Sequence, residues 1–318
     1  MKTPQGERID LIIRPISGRD ELDLFRRLTY ALDDEFADDL DAGRRRAEWM
    51  WMALRGDQLM ARAAWWGDQD PELLDVFDIA DGAVDEGIAL LEAALGAIVP
   101  AGRTPPEYIR FVPPDWREQP ESQRVVEERL AAIARMGAQP LVERLRLEWR
   151  PGTPIAAPSG RLLFRQTHGR DEMVAMMMRV LDGTLDAHSR DDLARMTPAE
   201  AAAAHYDREL AAYPSPQTWW RVATLPDGEP VGFVTPARNA YNPIIGYIAV
   251  LPEHRGNGTS TTCSPKVPGS LPPKACRASA RRPTWATRRW RRHSREPATS
   301  RSSGRSTGHG TRATLGEG

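Results

Sequence analysis

The residues with the clearest chemical potential are those at positions 251–258, which read Leu-Pro-Glu-His-Arg-Gly-Asn-Gly. They follow a nearly apolar stretch, 244–250, which predicts a buried strand in a central position of its sheet. A strand that leads into a basic, glycine-rich turn presents free backbone N–H groups, and a helix beginning there adds a partial positive charge. Glycine lets an anion approach the backbone, because any side chain would block it. The turn therefore predicts a site for a diphosphate group, although glycine-rich turns by themselves are also typical of loops that bind nothing.

The elements that must position this turn belong to the second of two similar segments. Residues 11–14 and 18–21 match residues 162–165 and 169–172 at a constant offset of 151. Each pair reads as a short strand, a turn and a helix with acids in its first turn, where the helix dipole favours them. Chance repetition of four identical residues is one explanation, and duplication of a domain is the one we favour.

Hydrophobic periodicity and turn residues predict the remaining elements. In the first copy we expect strands at 59–66, 74–79 and 108–112, and helices at 37–54, 84–98 and 121–135. In the second copy we expect a helix at 198–210 with Thr197 as its N-cap, then a hairpin formed by 219–225 and 230–234.

In this context, residues 246–258 resemble the acetyl-CoA motif of the GNAT N-acetyltransferase superfamily. There a strand and a proline-containing bend lead into Arg/Gln-x-x-Gly-x-Gly/Ala at the start of a helix. Arg255 and Gly258 match the first two positions, whereas Ser260 stands where the family has Gly or Ala. The resemblance implies an α+β chain with two GNAT-like mixed-sheet domains in tandem. Residues 1–150 would form a degenerate domain, 151–160 a linker and 161–258 the N-acetyltransferase domain.

The first copy is interpreted as degenerate because of the residues after its strand at 108–112. We take this strand as the equivalent of 244–250, and residues 113–116, Pro-Pro-Asp-Trp, come directly after it. That sequence offers no loop for a phosphate.

The resemblance also implies a reaction, in which an amine attacks the thioester of acetyl-CoA directly. Acetyl-CoA would be the co-substrate, and a small-molecule amine or a peptide the acceptor. The implied cofactor-binding residues are Ile248 and Val250, whose backbone would hold the pantetheine arm, and Arg255, Gly256, Asn257 and Gly258, which would hold the pyrophosphate. The amine must first lose a proton. No general base is assigned, because Tyr247 and Glu253 are also typical of a packed strand tyrosine and a solvated loop acid.

Residues 259–318 differ sharply from the rest of the chain. They hold 13 of its 43 Lys and Arg but only 2 of its 44 acids, and they contain no Ile, Phe, Tyr or Met. Such a segment buries too little apolar area to offset its chain entropy, so we expect a basic, disordered tail. One interpretation is a non-catalytic protein whose tail binds nucleic acid, with Trp285 and Trp290 stacking on bases. A solvated polar tail is another.

A third interpretation is that the tail is read out of frame. If one nucleotide was lost at the codon of Gly258, the restored frame permits Tyr-Ile-Asp-Asp-Leu-Leu-Ala-Glu after the turn, which is the amphipathic helix that the motif lacks. Further on, the restored frame permits a strand and then an Asn-x-x-Ala segment similar to the next motif of the superfamily. We favour this interpretation over nucleic-acid binding. It predicts that the chain as it stands is an impaired enzyme.

Several protein classes are excluded by composition. Both cysteines, Cys263 and Cys276, lie in the tail, and one pair supports neither a disulfide framework nor a metal site. The chain has no apolar stretch near the 18 residues that a membrane span needs, and residues 1–11 lack an apolar secretory core. We therefore expect a cytoplasmic protein with no metal and no membrane partner, and the sequence leaves its oligomeric state open.

Overall fold

The computed structural model describes residues 10–148 and 160–256, together with the backbone of 286–292. These residues form two units, each made of helices and one sheet. Unit one comprises residues 10–148 with the strand at 286–292, and unit two comprises residues 160–256. The predicted α+β class is confirmed.

The sheet of unit one has seven strands in the order β1-β2-β3-β4-β5-β11-β6. Its strands are β1 (Leu11–Pro15), β2 (Met50–Arg55), β3 (Gln58–Gly67), β4 (Pro71–Ile79), β5 (Glu107–Val112), β6 (Ala138–Leu145) and β11 (Ala286–Arg292). Its helices are α1 (Leu22–Phe25), α2 (Phe36–Asp41), α3 (Val84–Ile98) and α4 (Pro120–Arg135). The sheet is mixed, because β4 and β5 run parallel whereas the other pairs are antiparallel.

The sheet of unit two has four antiparallel strands in the order β10-β9-β8-β7 within the described residues. Its strands are β7 (Leu163–Gln166), β8 (Arg221–Thr224), β9 (Pro230–Arg238) and β10 (Pro243–Val250). Its helices are α5 (Arg170–Val180), α6 (Ala187–Leu193) and α7 (Pro198–His205), which continues as one π-helical turn, Tyr206–Leu210. Thr197 caps α7 as predicted, in a capping box with Glu200.

The sheet of unit one packs against helices through two buried apolar clusters, and the sheet of unit two through one. In unit one, Leu90 and Leu91 of α3 are fully buried against the sheet. At Gly87 of α3, a Cβ atom would lie 2.8 Å from the Ile79 side chain of β4, so the helix approaches the strand closely only because this residue is glycine. The apolar residues that recur along α3 at 3.6-residue spacing therefore form the face that packs against the sheet.

The two units share one local arrangement that supports the duplication. In unit one, the Arg14 guanidinium makes two hydrogen bonds, of 2.8 and 2.6 Å, to Glu21, which also accepts the Ser17 N–H at 2.6 Å. In unit two, Arg165 contacts Glu172 in the same way, and Glu172 accepts the His168 N–H at 2.6 Å. The two Arg-Glu pairs are related by the same offset of 151 that relates the sequences.

The helix predicted at 37–54 is wrong. The chain leaves α2 after Asp41, turns at Gly43 with φ of +72°, and returns as strand β2 from Met50. Arg45 explains the turn, because its guanidinium is fully buried and pairs with two carboxylates rather than facing solvent. Periodicity on one helix face could not reveal that burial.

One described segment lies within the tail. The backbone of β11 pairs antiparallel with β5 on one side and with β6 on the other. This differs from the expectation of disorder, and the reason is that pairing between two strand edges requires only backbone N–H and C=O groups, whatever the side chains. The rest of 259–318, including the positions of the proposed frame change, lies outside the described residues.

Within the described ranges, no helix combines the length and apolar character that crossing a membrane would need. Among the described side chains, no group of three or more His, Cys, Asp or Glu is placed to hold a metal ion.

Candidate functional site

The candidate site lies along β10 and the turn after it. The strand pairs with β9 and contains a β-bulge at Gly246, where the register shifts between Ile245 and Tyr247. A Cβ at Gly246 would lie 2.9 Å from the Tyr213 ring, so the bulge requires glycine. The Thr235 hydroxyl fixes the bend, since it accepts the Tyr247 N–H at 2.6 Å and donates to the Tyr247 carbonyl at 3.1 Å. Bulges of this kind redirect a strand beside functional sites.

The second edge of β10 has no neighbouring strand among the described residues. The prediction that this strand is central therefore differs from the structure, in which β10 is the outer member of its sheet. Ile245 and Ile248 are 46% and 45% exposed, although both are large and apolar. An outer strand with unpaired backbone groups can accept an extended partner by hydrogen bonding along its length. Ile248 and Val250, predicted to bind a pantetheine arm, both lie on this strand.

The strand ends in a compact turn. Leu251 is fully buried and anchors the start of a 3₁₀ turn, Pro252–His254, in which the His254 N–H donates to the Leu251 carbonyl at 3.0 Å. Gly256 comes next with φ of +77° and open space where a side chain would be. No described atom lies within 4 Å of the position that a Cβ would take, and the role of this glycine in binding a phosphate stays a prediction. Asn257 and Gly258 lie outside the described residues.

Arg255 is placed differently from its predicted role. Its guanidinium donates to three backbone carbonyl oxygens: Val180 at 2.7 Å, Asp182 at 2.8 Å and Val250 at 3.2 Å. These contacts join the turn to the C-terminal end of α5, where carbonyl groups lack helical partners and a cation is favoured. At least three of its five N–H groups are used in this way. In this arrangement Arg255 holds the turn in place rather than facing an anion.

Neither candidate is suited to take a proton from an ammonium group near neutral pH, because Tyr247 is protonated there and Glu253 is a weak base. Tyr247 stacks on His205 with ring centroids 4.9 Å apart, and burial raises the pKa of its hydroxyl to about 12. Glu253 is exposed, and its own backbone N–H and the paired Arg179 lower the pKa of its carboxyl. These are the packed tyrosine and solvated acid that the sequence left open as alternatives.

Sequence reasoning missed the surroundings of Tyr247. A small cavity lies beside the stacked pair, between the helices of unit two and β10. It is lined by Met177, Leu181, Ser189, Asp192, Ala201, Ala202, His205 and Tyr247. Only the packing of α5, α6 and α7 brings these residues together, so no spacing along the chain could have revealed them.

The first unit has a different equivalent of this turn from the one predicted. By strand order, β4 and not β5 corresponds to β10, so the comparable loop is 80–83 and not 113–116. This loop carries Asp81, and α3 behind it begins with Asp85 and Glu86. Carboxylates at a helix N-terminus compete with an external anion for the same dipole. The prediction that unit one lacks a phosphate loop therefore applies to residues 80–83.

A buried ionic cluster closes the space between β4 and β5 in unit one. The two strands pair only at Leu73 with Glu107 and Leu74 with Tyr108. Farther along, side chains replace backbone pairing, since Asp78 of β4 accepts hydrogen bonds from three buried guanidinium groups. They belong to Arg62 at 2.9 and 3.0 Å, Arg110 at 3.0 Å and Arg129 at 3.3 Å.

The electrostatics of this cluster favour a charged Asp78. Burial alone would raise the pKa of its carboxyl, but Arg110, Arg62 and Arg129 outweigh burial, so the pKa lies below its ordinary value. A ligand placed between the strands would have to break these contacts. The corresponding edge of β10 in unit two has no such cluster in the described part of the chain.

The chain is similar in structure to solved N-acetyltransferases. A GCN5-related N-acetyltransferase from Sphaerobacter thermophilus is 14% identical with a TM-score of 0.46, and the match covers 89% of this chain and 95% of that chain. A tandem GNAT protein from the clavulanic acid biosynthesis pathway is 15% identical with a TM-score of 0.36, covering 89% and 98%. A GCN5-related N-acetyltransferase from Anabaena variabilis is 13% identical with a TM-score of 0.33, covering 89% and 72%.

No protein-family model and no curated protein matches the chain. With identities of 13–15% and TM-scores below 0.5, these structural similarities decide nothing about the reaction.

Proposed function

We propose that unit two is the acetyl-CoA-binding part of an N-acetyltransferase that transfers an acetyl group directly to an amine. The observation that carries the proposal is the outer strand β10, bent by a bulge at Gly246 and leading into a turn with open backbone at Gly256. An extended pantetheine arm fits the edge of β10 that has no neighbouring strand among the described residues, and a diphosphate fits the turn. The motif resemblance of residues 246–258 supports the same ligand.

The chemistry asks little of the side chains. The amine nitrogen attacks the thioester carbonyl carbon, the carbon–sulfur bond breaks, and coenzyme A leaves as a thiol after taking up a proton. Backbone N–H groups along β10, at Ile248 and Val250, would orient the thioester and stabilise the negative charge that develops on its oxygen. The acceptor, a small amine or a peptide amine, must arrive neutral or lose its proton to water, since Tyr247 and Glu253 are unsuited to remove it.

We propose further that the chain as it stands is impaired. Asn257 and Gly258 complete the motif, and the frame interpretation assigns the helix behind them to a sequence that the present reading frame does not encode. A helix N-terminus at that point would add its dipole to the N–H groups that face the diphosphate.

The test compares the chain as it stands with a frame-restored chain that carries one inserted nucleotide at codon 258. Thermal unfolding is measured with and without acetyl-CoA, and desulfo-CoA, which lacks the thioester but keeps the diphosphate, is the matched ligand. Saturation at about 100 times Kd stabilises a protein by about 2.7 kcal/mol, which corresponds to a rise in Tm of roughly 5–10 °C. We expect this rise in the frame-restored chain and a smaller one in the present chain.

A failure of both chains to respond to acetyl-CoA contradicts the proposal. The rival, a non-catalytic nucleic-acid-binding protein, would instead retain DNA in a steeply salt-dependent way that disappears on deletion of residues 259–318. Sequencing the gene across codon 258 on both strands tests the frame interpretation separately, and an intact frame there removes it.

A further inference from the structure

The turn between β9 and β10 extends from unit two towards unit one. Its shape is set by Asn239, whose side-chain oxygen accepts the N–H groups of Tyr241 at 2.9 Å and Asn242 at 2.7 Å. The backbone closes the same turn, because the Asn239 N–H donates to the Asn242 carbonyl at 3.0 Å. This Asx-type turn holds Tyr241 at the tip of the hairpin.

Tyr241 is received by a socket in unit one. Its hydroxyl accepts a hydrogen bond from Trp66 Nε1 at 2.7 Å and donates one to Asp39 Oδ1, also at 2.7 Å. The Arg44 guanidinium lies over its ring, 5.1 Å from the centroid. Partners 175 and 202 residues away along the chain thus meet on one hydroxyl group. Burial and the bond to Asp39 both raise the pKa of Tyr241, so the hydroxyl keeps its proton and can act as the donor.

The socket is built on ion pairs that involve the buried Asp39. Asp39 is fully buried and is held by Arg44 at 2.8 Å and Arg45 at 3.1 Å. Arg45 in turn binds both carboxyl oxygens of Asp75, at 2.7 and 2.6 Å. Two arginines and two aspartates balance their charges, so the neutral tyrosine hydroxyl completes the hydrogen bonding without adding charge.

We infer that Tyr241 is a positioning residue through which unit one holds β10 and its bulge in place. The outer strand β10 has β9 as its neighbour in the described residues, and a strand paired on one edge opens from its end more readily than an inner one. Tyr241 fixes that end, two residues before the strand begins and five before Gly246. Unit one, whose own loop is acidic, thereby serves the site of unit two.

Unit one thereby has a role in the site of unit two that does not depend on a phosphate loop of its own. In unit one the Asp78 cluster closes the space between β4 and β5. What unit one contributes is the socket that holds the β9–β10 hairpin of unit two. The effect on ligand affinity rests on the proposed function, whereas the effect on the strand does not.

The test measures hydrogen exchange of the β10 amides, 244–250, in the full chain without ligand. Tyr241→Phe keeps the ring but removes the hydroxyl, and Trp66→Phe removes the donor on the other side. Tyr30→Phe is the matched control, because it removes a buried tyrosine hydroxyl of unit one that accepts the Phe111 N–H at 2.7 Å, away from the hairpin. Asp39 keeps both arginines in Tyr241→Phe, so we expect that variant to fold.

We expect Tyr241→Phe and Trp66→Phe to speed exchange in β10 by roughly tenfold, with α3 of unit one unchanged. Tyr30→Phe should leave β10 as in the wild type. Unchanged β10 exchange in Tyr241→Phe overturns the inference, and so does equal acceleration across both units, which would show general destabilisation. Acetyl-CoA titration of the same variants should give a higher Kd for Tyr241→Phe and Trp66→Phe but not for Tyr30→Phe. If the wild type binds no acetyl-CoA, the proposed function fails while the exchange result still decides the role of Tyr241.

Discussion

Replacement of Arg255 separates two ways in which this residue could serve the turn after β10. In the structure its guanidinium joins three carbonyl oxygens, of Val180, Asp182 and Val250, that lie in different directions. A lysine keeps the charge, but its single ammonium group cannot reproduce this planar fork of donors. If Arg255 holds the turn, Arg255→Lys should open the turn and weaken acetyl-CoA binding nearly as much as Arg255→Gln. If its charge instead faces a diphosphate, Arg255→Lys should retain most of the acetyl-CoA affinity.

The size of the effect depends on the contacts. A hydrogen bond to a charged group contributes about 1.5–3 kcal/mol when it is buried, and Arg255 is an exposed residue, so each of its bonds contributes far less. We take about 0.5 kcal/mol for each, or about 1–2 kcal/mol for the set. That amount lowers the ratio of closed to open turn by a factor of about 5–30.

Hydrogen exchange of residues 251–256 and acetyl-CoA titration measure this loss in the full chain. The control is Arg179→Gln. It removes an exposed ion pair that also joins α5 to the turn, between Arg179 and Glu253, and should change the exchange rate and the acetyl-CoA affinity by less than twofold. Wild-type exchange and affinity in Arg255→Lys, together with a clear loss in Arg255→Gln, would refute the structural role of the guanidinium.

Three further predictions concern the stability of the two units. Asp78→Asn removes the carboxylate shared by three buried guanidinium groups, of which only Arg62 keeps a second carboxylate partner, Asp33. It should lower the free energy of unfolding, measured by urea denaturation, by about 3–5 kcal/mol, whereas the more exposed Glu143→Gln should cost under about 1 kcal/mol. The pKa of Glu172 is lowered to about 2, and so is the pKa of Glu21. The stabilisation that each ionised carboxylate provides is therefore complete above about pH 4.5 and is lost as the pH falls towards 2. The deficits of Glu172→Gln and Glu21→Gln should therefore both shrink over that interval, and a constant deficit would contradict the assignment. Thr197→Ala should cost about 1 kcal/mol through loss of the capping box, read as a drop in Tm.

The two units contain the same Arg-Glu contact at equivalent positions. Arg14 with Glu21 and Arg165 with Glu172 fix the same turn between first strand and first helix. In both pairs the carboxylate also accepts a backbone N–H, which holds the helix entry in one conformation. The copies diverge at the strand edges, where unit one has the Asp78 cluster and unit two has an exposed outer strand.

Elements with one dominant periodicity could be predicted from the sequence. The helix at 84–98 has the predicted bounds, and the capping residue Thr197 does what its position indicated. The prediction of one helix over 37–54 was wrong, because the charged residues of this segment include Arg45, which is buried against Asp39 and Asp75. Whether an arginine faces solvent or a buried carboxylate depends on residues thirty positions away, which no local pattern contains.

The candidate site divides in the same way. Strand propensity and the freedom of glycine are local properties of the chain, so the sequence was sufficient to predict a strand that leads into an open, glycine-containing turn. The constant offset of 151 predicts two copies of one framework, and the Arg-Glu pairs of the two units lie at that offset. The folded chain was needed to show that Arg255 reaches α5, that β4 and not β5 is the counterpart of β10, and that Tyr241 enters the other unit. Each of these contacts depends on which segments become neighbours after folding, and that is set by the packing of the whole chain.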